Sequence, residues 1–183
     1  NLFSDLYWDN VKGTGQLIML KGNFGIATSG YSNTNNTYQI KYRNPWAFGD
    51  HRSFTFRVWS SSGSFSLFNL ASQEYSFDDL NRRGFDMEFG IPHTYDFRTS
   101  HRFKYESVMF NEDDNTDDTN LYYLYTYVFS ASLDKRDQRL NPTSGFYNNM
   151  SIEQGFKFRK SAIDLTKIDL TLRKYYPIFN KQV

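Results

Sequence analysis

The chain contains no cysteine, which excludes disulfide bridges and thiolate metal sites and is compatible with an oxidising compartment. It also lacks any long hydrophobic run. Hydrophobic residues make up 39% of the chain, mean hydropathy is -0.67, and nothing resembles the roughly 18 consecutive apolar residues of a transmembrane helix. Neither sign of charge is in excess: 21 Lys and Arg stand against 20 Asp and Glu, a net charge of +1. There is therefore no bulk electrostatic footprint for nucleic acid. Proline is scarce, with four in 183 residues. No signal peptide precedes Asn1; either a leader has been removed or the N-terminus of the protein lies elsewhere.

Aromatic residues, by contrast, are abundant: 19% of the chain, with 18 phenylalanines and 14 tyrosines. Polar on average yet rich in aromatics is an unusual balance for a soluble core. It is expected of a membrane β-barrel, whose lipid face is apolar, whose lumen is polar and whose rims carry aromatic girdles.

Period-two alternation runs through almost the whole chain, and no convincing helix is present. Ile18, Leu20, Phe24 and Ile26 share one strand face, opposite Lys21 and Asn23. Tyr38, Ile40 and Tyr42 alternate with Gln39, Lys41 and Arg43; Phe54, Phe56 and Val58 alternate with Thr55 and Arg57. Phe85, Met87, Phe89 and Ile91 oppose Asp86, Glu88 and Gly90, and Phe103 and Tyr105 oppose Arg102, Lys104 and Glu106. The longest apolar face runs from Leu121 through Tyr123, Tyr125, Tyr127 and Phe129 to Ala131. Phe146, Met150, Ile152, Phe156 and Phe158 form the next, and Ile168, Leu170 and Leu172 the last. With Leu2 to Trp8 as a first partial strand, about nine strands of bilayer-crossing length are expected.

The connections alternate in character. One set is compact and rich in Pro or Gly: Lys12 to Gly15, Asn44 to Asp50, Pro92 to Ser100, and the Pro142-Thr143-Ser144-Gly145 turn. The other set is polar and variable: Ser29 to Asn36, Ser60 to Arg83, Asn111 to Asn120, and Arg159 to Ile163. Strict alternation places each set at one end of the sheet, as in outer-membrane barrels with short turns at one rim and longer loops at the other. Proline presets φ and glycine permits φ > 0, so these turns can reverse the chain sharply. The residues expected to shape them are Gly13, Gly15, Pro45, Gly49, Pro92, Asp134, Pro142, Gly145 and Pro177.

Alternation does not say which face is wet, because a soluble barrel turns its apolar face inward and a membrane barrel turns it outward. The charges favour the second. Lys41, Arg43, Arg57, Asp86, Glu88, Arg102, Lys104 and Glu106 share the polar face of successive strands, where opposite charges become cross-strand neighbours. Asp86 and Glu88 accordingly read as salt-bridge partners in a polar lumen and not as a catalytic carboxylate pair. The run Glu112 to Asp118 lacks the glycine and glutamate of an EF-hand loop and reads as a solvated loop. His51, His93 and His101 show no metal spacing, and the sequons at Asn35 and Asn149 read as chance in an Asn-rich chain. No catalytic, cofactor or metal residue is assigned.

Five motifs, in order along nearly the entire chain, resemble the barrel of the BamA-type superfamily of outer-membrane protein assembly and translocation factors. They are Asp9-Asn10-Val11-Lys12-Gly13-Thr14-Gly15; Tyr42-Arg43-Asn44-Pro45-Trp46 with Gly49-Asp50; Phe85 to Pro92; Leu133-Asp134 through Pro142-Thr143-Ser144-Gly145; and Tyr175-Tyr176-Pro177-Ile178. The resemblance places the chain on the second to tenth strands of a barrel of about sixteen. It implies an all-β, antiparallel meander over residues 1–183 as part of a transmembrane barrel, in a bacterial outer membrane by default. The family's periplasmic POTRA domains, first strand, last strands and lumenal V-R-G-[FY] loop have no counterpart, so no functional arginine or gate residue is carried over, and a fragment is expected. By the same resemblance the partners would be outer-membrane lipid, unfolded outer-membrane client proteins and accessory assembly lipoproteins. Activity would need neither cofactor nor enzymatic step. A passive porin or secretion barrel, and a soluble all-β binding module, are the alternatives.

Overall fold

In the computed structural model the described residues are 2–25, 36–49, 51–69, 74–111, 119–160 and 162–177, with backbone only at 64–69, 74–79, 111, 119 and 120. They form nine strands: β1 (Leu2–Val11), β2 (Gln16–Phe24), β3 (Asn36–Ala47), β4 (Arg52–Asn69), β5 (Glu74–Pro92), β6 (Phe97–Asn111), β7 (Thr119–Asp134), β8 (Gly145–Gly155) and β9 (Thr166–Tyr175). Each pairs antiparallel with its chain neighbours in one sheet of order β1 to β9. A meander of this kind puts the β1–β2, β3–β4, β5–β6 and β7–β8 turns at one rim and the remaining connections at the other. Ile26, Asn35, Asp50, the run Glu112 to Asp118 and Ile178 lie outside the described residues.

The sequence periodicity marks the membrane-crossing part of each strand but not its full extent. The stretch Ser60 to Arg83, expected as a loop, is mostly ladder. β4 and β5 continue in register through Ser61↔Arg82 and Gly63↔Leu80 to Asn69↔Glu74. Ser60 to Ser64 carries no apolar side chain, and beyond it Phe65 and Leu67 stand opposite Asp78 and Ser76 while Phe77 stands opposite Ser66. As far as Leu67 the two strands therefore share no common apolar row, and the signal fades where the ladder does not. Likewise Asn44 to Ala47 belongs to β3, with a register shift between Asn44 and Ala47 that accommodates Pro45. The Pro92 to Ser100 turn contracts to residues 93–96.

The opposite correction applies at β8. Phe156 and Phe158, expected on its apolar face, lie beyond its end at Gly155. β8 pairs with β7 only as far as Thr126↔Gly155, whereas β7 continues to Thr119. The connecting segment takes up part of the vacated ladder: Phe156 N donates to Tyr125 O at 2.8 Å and Ile163 N to Tyr123 O at 3.0 Å. A side chain at Gly155 would come within 2.9 Å of Leu165 N, so glycine permits this departure.

The sheet is inside out relative to a soluble fold. Ile40 is 56% exposed, Phe103 49% and Leu170 63%, while Asp86 and Glu106 are 2% and 1% exposed. The polar face is concave: one cleft on it is lined by Arg43 of β3, Glu88 of β5 and Asn149 of β8. Flat strands about 4.8 Å apart would separate those outer residues by more than 20 Å.

Candidate functional site

Cross-strand register builds the concave face row by row. Lys41, Arg57, Asp86, Lys104 and Thr126 stand opposite one another along β3 to β7. One residue pair further along the polar face, Arg43, Thr55, Glu88, Arg102 and Val128 form the next row. Opposite charges on adjacent strands then fall within contact. Arg57 Nε donates to Asp86 Oδ2 at 2.8 Å and its Nη2 closes on the same oxygen. Glu106 is held between Arg82, by a hydrogen bond from Nε, and Lys104, whose Nζ lies 2.7 Å from Oε2. Arg102 reaches Glu88 at 3.2 Å. A buried carboxylate costs several kcal/mol unless paired, and both deeply buried acids here have basic partners.

Gly84 lies in this face, between Trp59 of β4 and Glu106 of β6. A Cβ there would meet Tyr105 O at 2.3 Å and the Trp59 ring at 2.8 Å. The indole thus covers a backbone that only glycine leaves open, an aromatic cover over a strand glycine. Arg57 stacks on the same ring at 5.3 Å, which couples the glycine to the charge network. On the convex face His101 Nδ1 and Tyr127 Oη lie 2.6 Å apart, so two polar groups on an apolar surface satisfy each other.

The expected turn residues gather at one rim. Gly13 (φ +74°), Gly15 (φ +71°), Gly49 (φ +72°) and Gly145 (φ +99°) occupy the left-handed region. Gly15 N donates to Asn10 Oδ1 at 2.7 Å, and a Cβ on it would stand 3.5 Å from Pro45, so the first two turns pack together. Pro92 closes β5 opposite Arg98. Asp134, the last residue of β7, is forked by Arg136 at 2.7 and 2.8 Å. Pro142 lies in the β7–β8 turn, and Pro177 follows β9 at Tyr175-Tyr176.

Two features of that rim escape sequence reasoning. Asp137 organises the β7–β8 turn, accepting from Thr143 N at 3.0 Å, Ser144 N at 3.1 Å and Thr143 Oγ1. These donors, Thr143 Oγ1 first, hold its carboxyl down at about 2. Arg136 is raised above its ordinary value, chiefly by its hydrogen bond to Asp134. Both are local to the turn, and both follow from its folded path and not from residue type. An isolated glycine in a strand, as at Gly84, is the one signal that points to a close approach.

A charged, concave interior and an apolar, aromatic exterior on one continuous antiparallel meander define the wall of a transmembrane β-barrel. The chain belongs to the Omp85 superfamily, whose domain matches residues 10–183. Its fold is similar to the crystal structure of BamA from Haemophilus ducreyi lacking POTRA domains 1-3, with a TM-score of 0.64 and 14% identity. That likeness covers 85% of this chain and 31% of the BamA chain, so the chain spans about a third of the structure it matches. No curated protein sequence matches it.

Proposed function

We propose that this chain is a wall of an outer-membrane barrel that assists insertion or translocation of proteins at the bacterial outer membrane. The observation that carries the reading is the inverted burial of the sheet, acids inside and aromatics outside, in a member of the Omp85 superfamily. Its action needs no covalent step and no cofactor. The intact barrel opens at a seam between two strands, and client strands pair with the exposed edge by β-augmentation. A locally thinned bilayer beside the seam lowers the cost of insertion. The strands described here supply hydrogen-bonded closure, an aromatic rim and a charged lumen, with lipid, unfolded clients and accessory lipoproteins as partners.

The test is conditional depletion of the intact protein, followed by immunoblots of boiled and unboiled outer membranes. Heat-shifted forms of other barrel proteins should fall several-fold while the bilayer stays intact. Unchanged client assembly together with strong ion conductance by the purified protein would leave a passive pore as the reading. Monomeric behaviour without detergent would overturn the membrane assignment itself.

A further inference from the structure

The charge network is not balanced throughout. Arg57, Arg82, Arg102 and Lys104 each have an acidic partner. Among the described residues Lys41 and Arg43 have none, although both stand on the concave face two residues apart on β3. The acids nearest Arg43 along its row are Glu88 and Asp9, each two strands and about 10 Å away. Glu88 is held by Arg102 at 3.2 Å, and Asp9 of β1 lies outside the cleft described next. On the turn side of that row, Arg98 of β6 enters the same space and donates from Nη2 to Ser53 Oγ at 2.7 Å.

These three cations line a single cleft of about 330 Å³. Its floor is made of short hydroxyl side chains, including Ser53, Thr55, Ser100 and Ser130. They stand on successive strands because the register sets Ser53 opposite Gly90, Gly90 opposite Ser100 and Ser100 opposite Ser130. Small residues leave the room, their hydroxyls donate hydrogen bonds, and cations on two sides supply charge. Glu88 is the one acid in the lining, and Arg102 neutralises it.

The geometry points to a binding site for a small oxyanion, of phosphate type, on the lumenal wall between β3 and β6. Lys41 offers a point charge. Arg43 and Arg98 offer forked donors that match tetrahedral oxygens, and serine and threonine hydroxyls complete the shell. The inference does not depend on the client-assembly reading; it requires only that the concave face line a water-filled lumen.

The experiment uses the intact protein in detergent micelles and inorganic phosphate as the probe, read by phosphorus NMR line broadening at constant ionic strength. Saturable broadening is expected, with sulfate competing and chloride at equal ionic strength not competing. Arg43→Gln should weaken binding about tenfold, the loss of one charge-assisted contact, and Lys41→Gln by a similar factor. Lys167→Gln, whose lysine is paired with Asp169 at 2.9 Å, should leave binding unchanged. Arg43 is solvent-exposed, and its variant should retain the heat shift of a folded barrel. Broadening that does not saturate, or that is equal in wild type and Arg43→Gln, would overturn the site.

Discussion

At the scale of single residues, the buried acids govern stability and Asp137 governs one turn. Asp86 is 2% exposed and its only ionic partner among the described residues is Arg57, which itself stands opposite Lys41. Asp86→Asn leaves two cations facing each other across β3 and β4, so a loss of about 1–3 kcal/mol is expected. A urea titration followed by the heat-shifted gel band should show the lower midpoint. Asp137 behaves differently because its partners are hydroxyl and backbone donors. Its folded-state value of about 2 lies below the ordinary 3.8. Ionised Asp137 therefore supports the turn above about pH 4, and that support is lost as pH falls toward 2. Amide protection factors at Thr143 and Ser144, taken against the intrinsic exchange rate at each pH, should fall across that window, and in Asp137→Asn they should be low at every pH.

At the scale of elements, the existence of nine strands was legible in the sequence, and so was the face taken by the alternating residues within them, whereas Phe156 and Phe158 lie beyond β8. Period-two alternation survives wherever one side meets lipid, as from Phe85 to Ile91. Between Ser60 and Arg83 most apolar residues of the two strands fall out of phase across the ladder, and there the expected strand ends stop short of the real ones. The turns were legible because their chemistry is local: left-handed backbone at Gly13, Gly15, Gly49 and Gly145 follows from residue type. What sequence could not supply is anything that depends on which strands meet. The Trp59 cover on Gly84, the Arg82–Glu106–Lys104 cluster and the docking of residues 156–163 on β7 all require the register. One prediction belongs to this scale. Among the described residues β4 has no β3 partner beyond Ser62 and β5 no β6 partner before Asp79, so the described part of that hairpin's tip is a two-stranded ribbon. Such ribbons contribute little on their own. Replacing residues 64–79 by a short turn should preserve the heat shift of the barrel, and loss of the shift would show that the ribbon is needed for closure.

At the scale of the whole molecule, burial is organised by lipid on one side and lumenal water on the other. Among the described residues only Met19, Ala47 and Ala162 are buried apolar side chains, so there is no core of the soluble kind to hold the sheet together. Cohesion comes from the continuous ladder and from cross-strand pairs such as Phe103 with Tyr127 and Phe85 with Tyr105. β1 and β9 each have one neighbour in that ladder. In hydrocarbon their outer backbone groups require further partners, since each unsatisfied group there costs several kcal/mol.

The alternation that gives the sheet two unlike faces has a consequence for the chain before it folds. Spread along the backbone, apolar and polar side chains are interleaved, with apolar runs no longer than a few residues such as Leu17 to Leu20, and no segment of the unfolded polypeptide is greasy enough to halt during export or to settle in the wrong membrane. Affinity for lipid is absent from the strand in isolation and arises only when neighbours align their aromatic sides into one continuous surface. Folding is thus the step that makes this molecule insoluble in water, and the place where its strands first pair is the place where it becomes a membrane protein.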